Sequence, residues 1–163
     1  MRTARRGFTL IEILVVMGMI TILASVVLVA VNPLRQFAQA RNSQRISNVH
    51  AILNAIGNRL AENRGIFTDD ETCTIALPGS ATAMARNGYD MRPCLEPLDL
   101  SEFPFDPATG SNTCASIACG GDGENYASGY TVAQDTGTGR VTVCAPGAAE
   151  PSIEGSGPYC LTR

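Results

Sequence analysis

Residues 1–16 read MRTARRGFTLIEILVV, and the fold turns on what this stretch is. It opens with Arg2, Arg5 and Arg6 and no acid, then enters an apolar run of 24 residues from Phe8 to Val31. A cleaved secretory signal has an apolar stretch of about 7–15 residues before a small-residue cleavage site. This run is too long for that. A bilayer span needs about 20 apolar residues, which the run supplies. A buried core helix is a third reading. It fails on supply, because the rest of the chain is polar and rich in Gly and Pro and is too small to enclose such a helix.

Length and hydropathy alone therefore give a single-pass anchor. Glu12 complicates it. A charged side chain at the centre of a bilayer costs about 2.5–3.5 kcal/mol on insertion scales. Two accounts stand side by side. The carboxylate is kept for a charged partner, or it lies near the membrane face and reaches water.

RRGFTLIEILVV resembles the prepilin processing motif of type IV pilins and type II secretion pseudopilins. The matching residues are Gly7, Phe8 and Glu12. The resemblance implies that a prepilin peptidase cleaves Gly7–Phe8, and that the new Phe8 amine is N-methylated. It further implies that Glu12 pairs with the Phe8 amine of a neighbouring subunit during assembly. Charge supports that role: cleavage creates an ammonium beside an apolar helix, and in a bundle of such helices each charge is unpaired without its neighbour. Removing one partner of a buried ion pair costs about 3–5 kcal/mol, so the pair sets register more than it adds stability.

Composition narrows the classes. Net charge is −3; with the three leader arginines set aside, residues 8–163 carry 9 basic against 15 acidic side chains. All 12 basic residues are Arg. A mildly acidic body lacks the clustered cations of a general nucleic-acid surface. An enzyme is disfavoured by a single histidine, His50, and by the absence of a hydrolase motif.

Six cysteines follow the apolar run: Cys73, Cys94, Cys114, Cys119, Cys144 and Cys160. An even count in a small polar body reads as a disulfide framework in an oxidising compartment. Metal binding is the competing reading, but Cys114 and Cys119 are too widely spaced for CxxC. Sequence neighbours are expected to pair: Cys73–Cys94, Cys114–Cys119 and Cys144–Cys160. Arg2, Arg5 and Arg6 on one flank and Arg35, Arg41 and Arg45 on the other leave orientation undecided. The cysteines decide it, placing the leader in the cytoplasm and the body outside.

After Pro33, where a kink is expected, the pattern becomes amphipathic. Ile46, Val49, Leu53, Ile56 and Leu60 form one helical stripe. Arg45, Asn48, Asn54, Asn58 and Arg59 fall off it, and His50 is expected to be partly exposed. Arg64-Gly65 is a helix stop. The expected organisation is a leader at 1–7, a transmembrane or filament-core helix at 8–31, its amphipathic continuation at 32–64, and a small extracytoplasmic β domain at 66–163. The fold class is α+β and pilin-like: one long N-terminal helix, apolar then amphipathic, packed on a small antiparallel sheet with disulfide-tied loops.

Within 66–163 one hairpin is clear: Tyr130 to Gln134, a turn at 136–139, then Arg140 to Cys144. The Gly/Pro-rich tail returns to Cys160, which ties it down. Asp69-Asp70-Glu71 reads as a solvated loop. PFDPATG at 104–110, followed by Tyr126 and Tyr130, resembles the Pro-x-Asp-Pro loop ahead of the first sheet strands in pseudopilins and small pilins. The insertion holding Cys114 and Cys119 departs from its short form. CGGDGENYASG offers Asp122, Glu124 and Asn125 as a weak calcium set; no other cofactor or metal is expected.

The leading expectation is a structural subunit of a type IV pilus-like filament. It would be made as an inner-membrane prepilin, with copies of itself, the peptidase and methyltransferase, and an assembly platform as partners. A pseudopilin of a type II secretion or DNA-uptake system is the alternative. A non-polymerising, single-pass anchored binding module explains the span and the cysteines, and leaves Phe8 to Glu12 as coincidence.

Overall fold

In a computed structural model of the chain, residues 7–30, 32–69, 73–114 and 125–163 are described. The chain divides into two compact units, residues 1–37 and 38–163. The first is dominated by α1 (Leu10–Ala30). Its side chains from 10 to 27 are all exposed, and the helix is long and apolar enough to cross a membrane. Its two hydroxyls are satisfied inside the helix. Thr21 Oγ1 donates to the Met17 carbonyl at 2.8 Å and Ser25 Oγ to that of Ile22 at 2.7 Å. That back-bonding lets Thr and Ser sit in an apolar segment without unpaired polar groups.

Where a kink in one continuous helix was expected at Pro33, the structure instead starts a second helix. The Asn32 side-chain oxygen accepts the Arg35 amide at 3.3 Å, and the Asn32 carbonyl accepts the Gln36 amide at 3.3 Å. Asn is a favoured N-cap. Pro33 then occupies the first position of α2 (Pro33–Glu62). There its missing amide costs little, because first-turn amides have no partner within the helix. The helical span is thus built from two segments, one apolar and one amphipathic. α2 ends as expected: Arg64 (φ 56°) and Gly65 (φ 88°) turn left-handed, and the Gly65 amide donates back to the Leu60 carbonyl at 2.6 Å.

The stripe that α2 buries differs from the expected one. Val49, Leu53 and Ile56 are buried, but Ile46 is 40% exposed, whereas Arg45 and Arg59 are 1% and 3% exposed. The buried row runs Arg45, Val49, Ile52, Ile56, Arg59, with spacings of 4, 3, 4 and 3. A row ending in two cations is not read as apolar, yet it is admissible where each guanidinium is fully partnered. Arg59 Nε and Nη1 donate to the carbonyls of Phe67 (2.7 Å) and Cys94 (2.6 Å), and Nη2 meets the Asp69 carboxylate. Asp69 is thus half-buried and engaged rather than a freely solvated residue; Asp70 and Glu71 lie outside the described residues.

α2 packs on an antiparallel sheet ordered β1-β3-β4-β5, with β2 also pairing β3. The strands are β1 (Thr82–Ala85), β2 (Ser111–Asn112), β3 (Tyr126–Gln134), β4 (Val141–Ala145) and β5 (Tyr159–Thr162). The short helix α3 (Arg92–Leu95) lies between β1 and β2. Along β3 and β4 burial alternates, as a half-buried sheet requires. Tyr130, Val132 and Val143 face Val49, Ile52 and Ile56 of α2 in one core, joined by Met84, Met91, Leu95 and Phe103. The expected hairpin is β3–β4, with Gln134 opposite Val141. Asp135 shapes its turn, accepting the amides of Gly137 (2.8 Å) and Thr138 (2.7 Å). The tail adds a strand the sequence did not announce, β5, with Cys160 directly opposite Cys144.

Two of the expected disulfides are formed, Cys73–Cys94 and Cys144–Cys160. Cys114 is also disulfide-bonded; the expected pair Cys114–Cys119 falls on Cys119, outside the described residues. Among the described residues, then, an apolar N-terminal helix precedes an amphipathic helix on a small antiparallel sheet with two disulfides, an α+β layout consistent with a pilin-like fold.

Candidate functional site: the helix start and a clamped charge cluster

Gly7, Phe8 and Thr9 precede α1 and are outside the helix. Phe8 is 79% exposed. Thr9 caps the helix: its Oγ1 accepts the Glu12 amide at 3.3 Å, and its carbonyl accepts the Ile13 amide at 3.4 Å. The sequence Thr-x-x-Glu is a capping-box pattern. It puts Glu12 in the first helical turn, where a carboxylate complements the positive end of the helix dipole. Glu12 is exposed, one turn from Phe8. The sequence-singled residues Gly7, Phe8 and Glu12 are therefore neighbours at the start of an apolar helix.

The body holds a second cluster that the sequence did not single out. Arg45 Nε and Nη2 grip both oxygens of Asp106, at 2.6 and 3.0 Å. Its Nη1 reaches Glu150 Oε1 at 2.6 Å and Asn42 Oδ1 at 2.8 Å. Arg41 holds Glu150 through both oxygens, at 2.8 and 2.9 Å. The Arg45 and Asp106 side chains are 1% and 0% exposed. The Asp106 hydrogen bonds raise the Arg45 pKa further above its usual value. Burial by itself would raise the Asp106 carboxyl. Arg45, the amides of Ala108 and Thr109, and the Thr109 hydroxyl outweigh it, and hold the group well below the carboxylate range. Hydrogen bonds from Arg41, then Arg45, bring Glu150 down to about 2.

Close backbone approach makes room for this cluster. Gly129 has φ +83°, and a Cβ there would lie 2.5 Å from the Asp106 Cβ; one at Gly147 would lie 2.8 Å from Asp106 Oδ2. Arg45 thus ties three stretches together: α2, the 104–110 loop and the segment after β4. The loop resemblance had marked Asp106 and Tyr130. The Tyr130 hydroxyl is not bonded to the cluster; it accepts from Asn48 Nδ2 at 2.8 Å. Arg45 itself was missed because it was assigned to the solvent side. The signal that would have found it is the 4-3-4-3 row ending in Arg45 and Arg59.

Of the weak calcium set, Asp122 and Glu124 lie outside the described residues; Asn125 is exposed at the start of β3. Among the described residues no group of three or more His, Cys, Asp or Glu is placed to hold a metal ion. His50 is exposed, with Nε2 3.4 Å from the Tyr159 hydroxyl.

Residues 2–28 match a family model described as the prokaryotic N-terminal methylation motif. That motif is the signature of type IV pilin and pseudopilin precursors, and here it covers the N-terminal segment of the chain. No curated protein and no solved structure matches it.

Proposed function

We propose that this chain is a structural subunit of a type IV pilus-like filament, made as a membrane-anchored precursor. The observation that carries the reading is the joining of the methylation motif to an apolar helix with every described side chain from 10 to 27 exposed. Such a surface needs lipid, and after extraction from lipid it needs other helices. In this reading a prepilin peptidase cuts Gly7–Phe8 and the Phe8 amine is methylated. Glu12, one turn on, meets the amine of a neighbouring copy. The leader faces the cytoplasm and the disulfide-bonded body faces the oxidising side. The role is structural, not catalytic, and uses no cofactor; a calcium ion at Asp122, Glu124 and Asn125 is a separate, minor proposal.

A pseudopilin role in secretion or DNA uptake is the second reading; the Pro-x-Asp-Pro loop at 104–110 resembles that of pseudopilins and small pilins alike and does not separate the two. The test common to both is co-expression with a prepilin peptidase and an assembly platform. Mass spectrometry of sheared filaments should show a chain beginning at Phe8 and carrying one added methyl group. A chain that stays uncleaved, or is cleaved elsewhere, refutes the proposal. A chain that is cleaved but never pellets as filament supports the anchored binding module. A secretin encoded beside the gene would favour the pseudopilin; a retraction ATPase would favour the pilus.

A further inference from the structure

We propose that a groove on the body receives the first turns of α2 from a second copy of this chain, an inference that rests on the filament reading. The groove, of about 250 Å³, lies between α2 and the segment after β4; Ile46, Ile153, Glu154 and Tyr159 are among the residues that line it. Ile46 explains itself here: it is the one stripe position predicted to be buried that is 40% exposed. The outer wall is held in place. The Ile153 amide donates to the Glu150 carbonyl at 3.0 Å, and Ser156 Oγ donates to the same carbonyl at 2.6 Å. Glu150 is in turn gripped by Arg41 and Arg45. The buried charge cluster thus fixes a concave, mainly apolar surface.

The occupant is identified by complementarity. The start of α2 presents Leu34 and Phe37, 69% and 64% exposed, with Arg35 between them. Arg35 and Glu154 are both exposed, and neither side chain has an ion-pair partner among the described residues. An apolar ridge with a free cation matches an apolar groove with a free anion. In this proposal the ridge of one copy enters the groove of the next. Two different surfaces of one chain make a heterologous contact. When such contacts do not close into a ring, they propagate as an open helical filament. Charge at the edge of a contact mainly enforces partner choice and register, and like charges placed there are penalised.

Charge reversal tests this in the full chain, co-expressed with the peptidase and assembly platform. Arg35→Glu and Glu154→Arg should each lower sheared-filament yield at least about fivefold, and the double variant should recover it. Membrane insertion and the Cys73–Cys94 and Cys144–Cys160 disulfides should be unchanged in all three. A photo-crosslinking residue at position 37 of purified filaments should map to residues 153–157 of another copy. Single variants at wild-type yield, or a double variant no better than the singles, overturn the proposal. So do crosslinks confined to lipid or to an unrelated protein. If the wild-type chain is not cleaved or forms no filament, the filament reading fails first, and this inference with it.

Discussion

Replacing Arg45 by Met is the sharpest test of what holds the body together. The side chain is 1% exposed and makes hydrogen bonds to Asp106, Glu150 and Asn42. Stranding a buried charge by removing its partner costs about 3–5 kcal/mol. The structure points to the lower end. Asp106 keeps the amides of Ala108 (2.9 Å) and Thr109 (2.8 Å), and Glu150 keeps Arg41. The expected loss is about 3 kcal/mol, against a total of about 5–15 kcal/mol for a typical domain. Urea unfolding of the detergent-solubilised chain measures it. The near-ultraviolet dichroism of buried Tyr126 and Tyr130 is the probe, since the chain has no Trp. A pH series adds a check of sign. The folded-state Asp106 pKa is depressed, so its contribution is complete above the unfolded value of about 4 and is lost as pH falls through the depressed one. The gap between wild type and variant should be widest near neutrality and narrow below about pH 4. A loss under about 1 kcal/mol, the scale of an exposed ion pair, or a gap that widens on acidification, refutes the reasoning.

Three further outcomes follow from the same geometry. Cys144→Ser with Cys160→Ser opens a loop of sequence separation 16 and should cost about 3 kcal/mol, read as a lower unfolding midpoint with β5 amides exchanging first. Gly129→Ala should lose about 1–2 kcal/mol from its left-handed conformation alone, with the clash against Asp106 on top; a thermal melt equal to wild type would contradict the close approach. Glu12→Val should still insert and be cleaved, but enter filaments poorly; wild-type filament yield from that variant would remove Glu12 from assembly.

Two kinds of information separate in this chain. The sequence by itself determined what depends on local pattern. The long apolar run that contains Leu10–Ala30 could only be an apolar helix, because no other part of the chain can enclose it. Thr9 to Glu12 carries its own helix-start chemistry, Arg64-Gly65 its own stop, and the hairpin around 135–139 its own turn residues. The even cysteine count pointed to disulfides, but six cysteines allow 15 connectivities, and it is the fold that pairs Cys73 with Cys94 and Cys144 with Cys160.

Only the tertiary structure decided which face of α2 is buried. Periodicity ranks positions by side-chain polarity, and it put Ile46 inside and Arg45 and Arg59 outside. Burial is settled by partners that lie far away in sequence: Asp106 is 61 residues from Arg45 and Glu150 is 105. A guanidinium can leave water only where carboxylates and carbonyls are already assembled to receive it. That assembly is a property of the packed loops and of no single segment. The same holds for β5, whose short tail becomes a strand because the edge of β4 is there to pair with it.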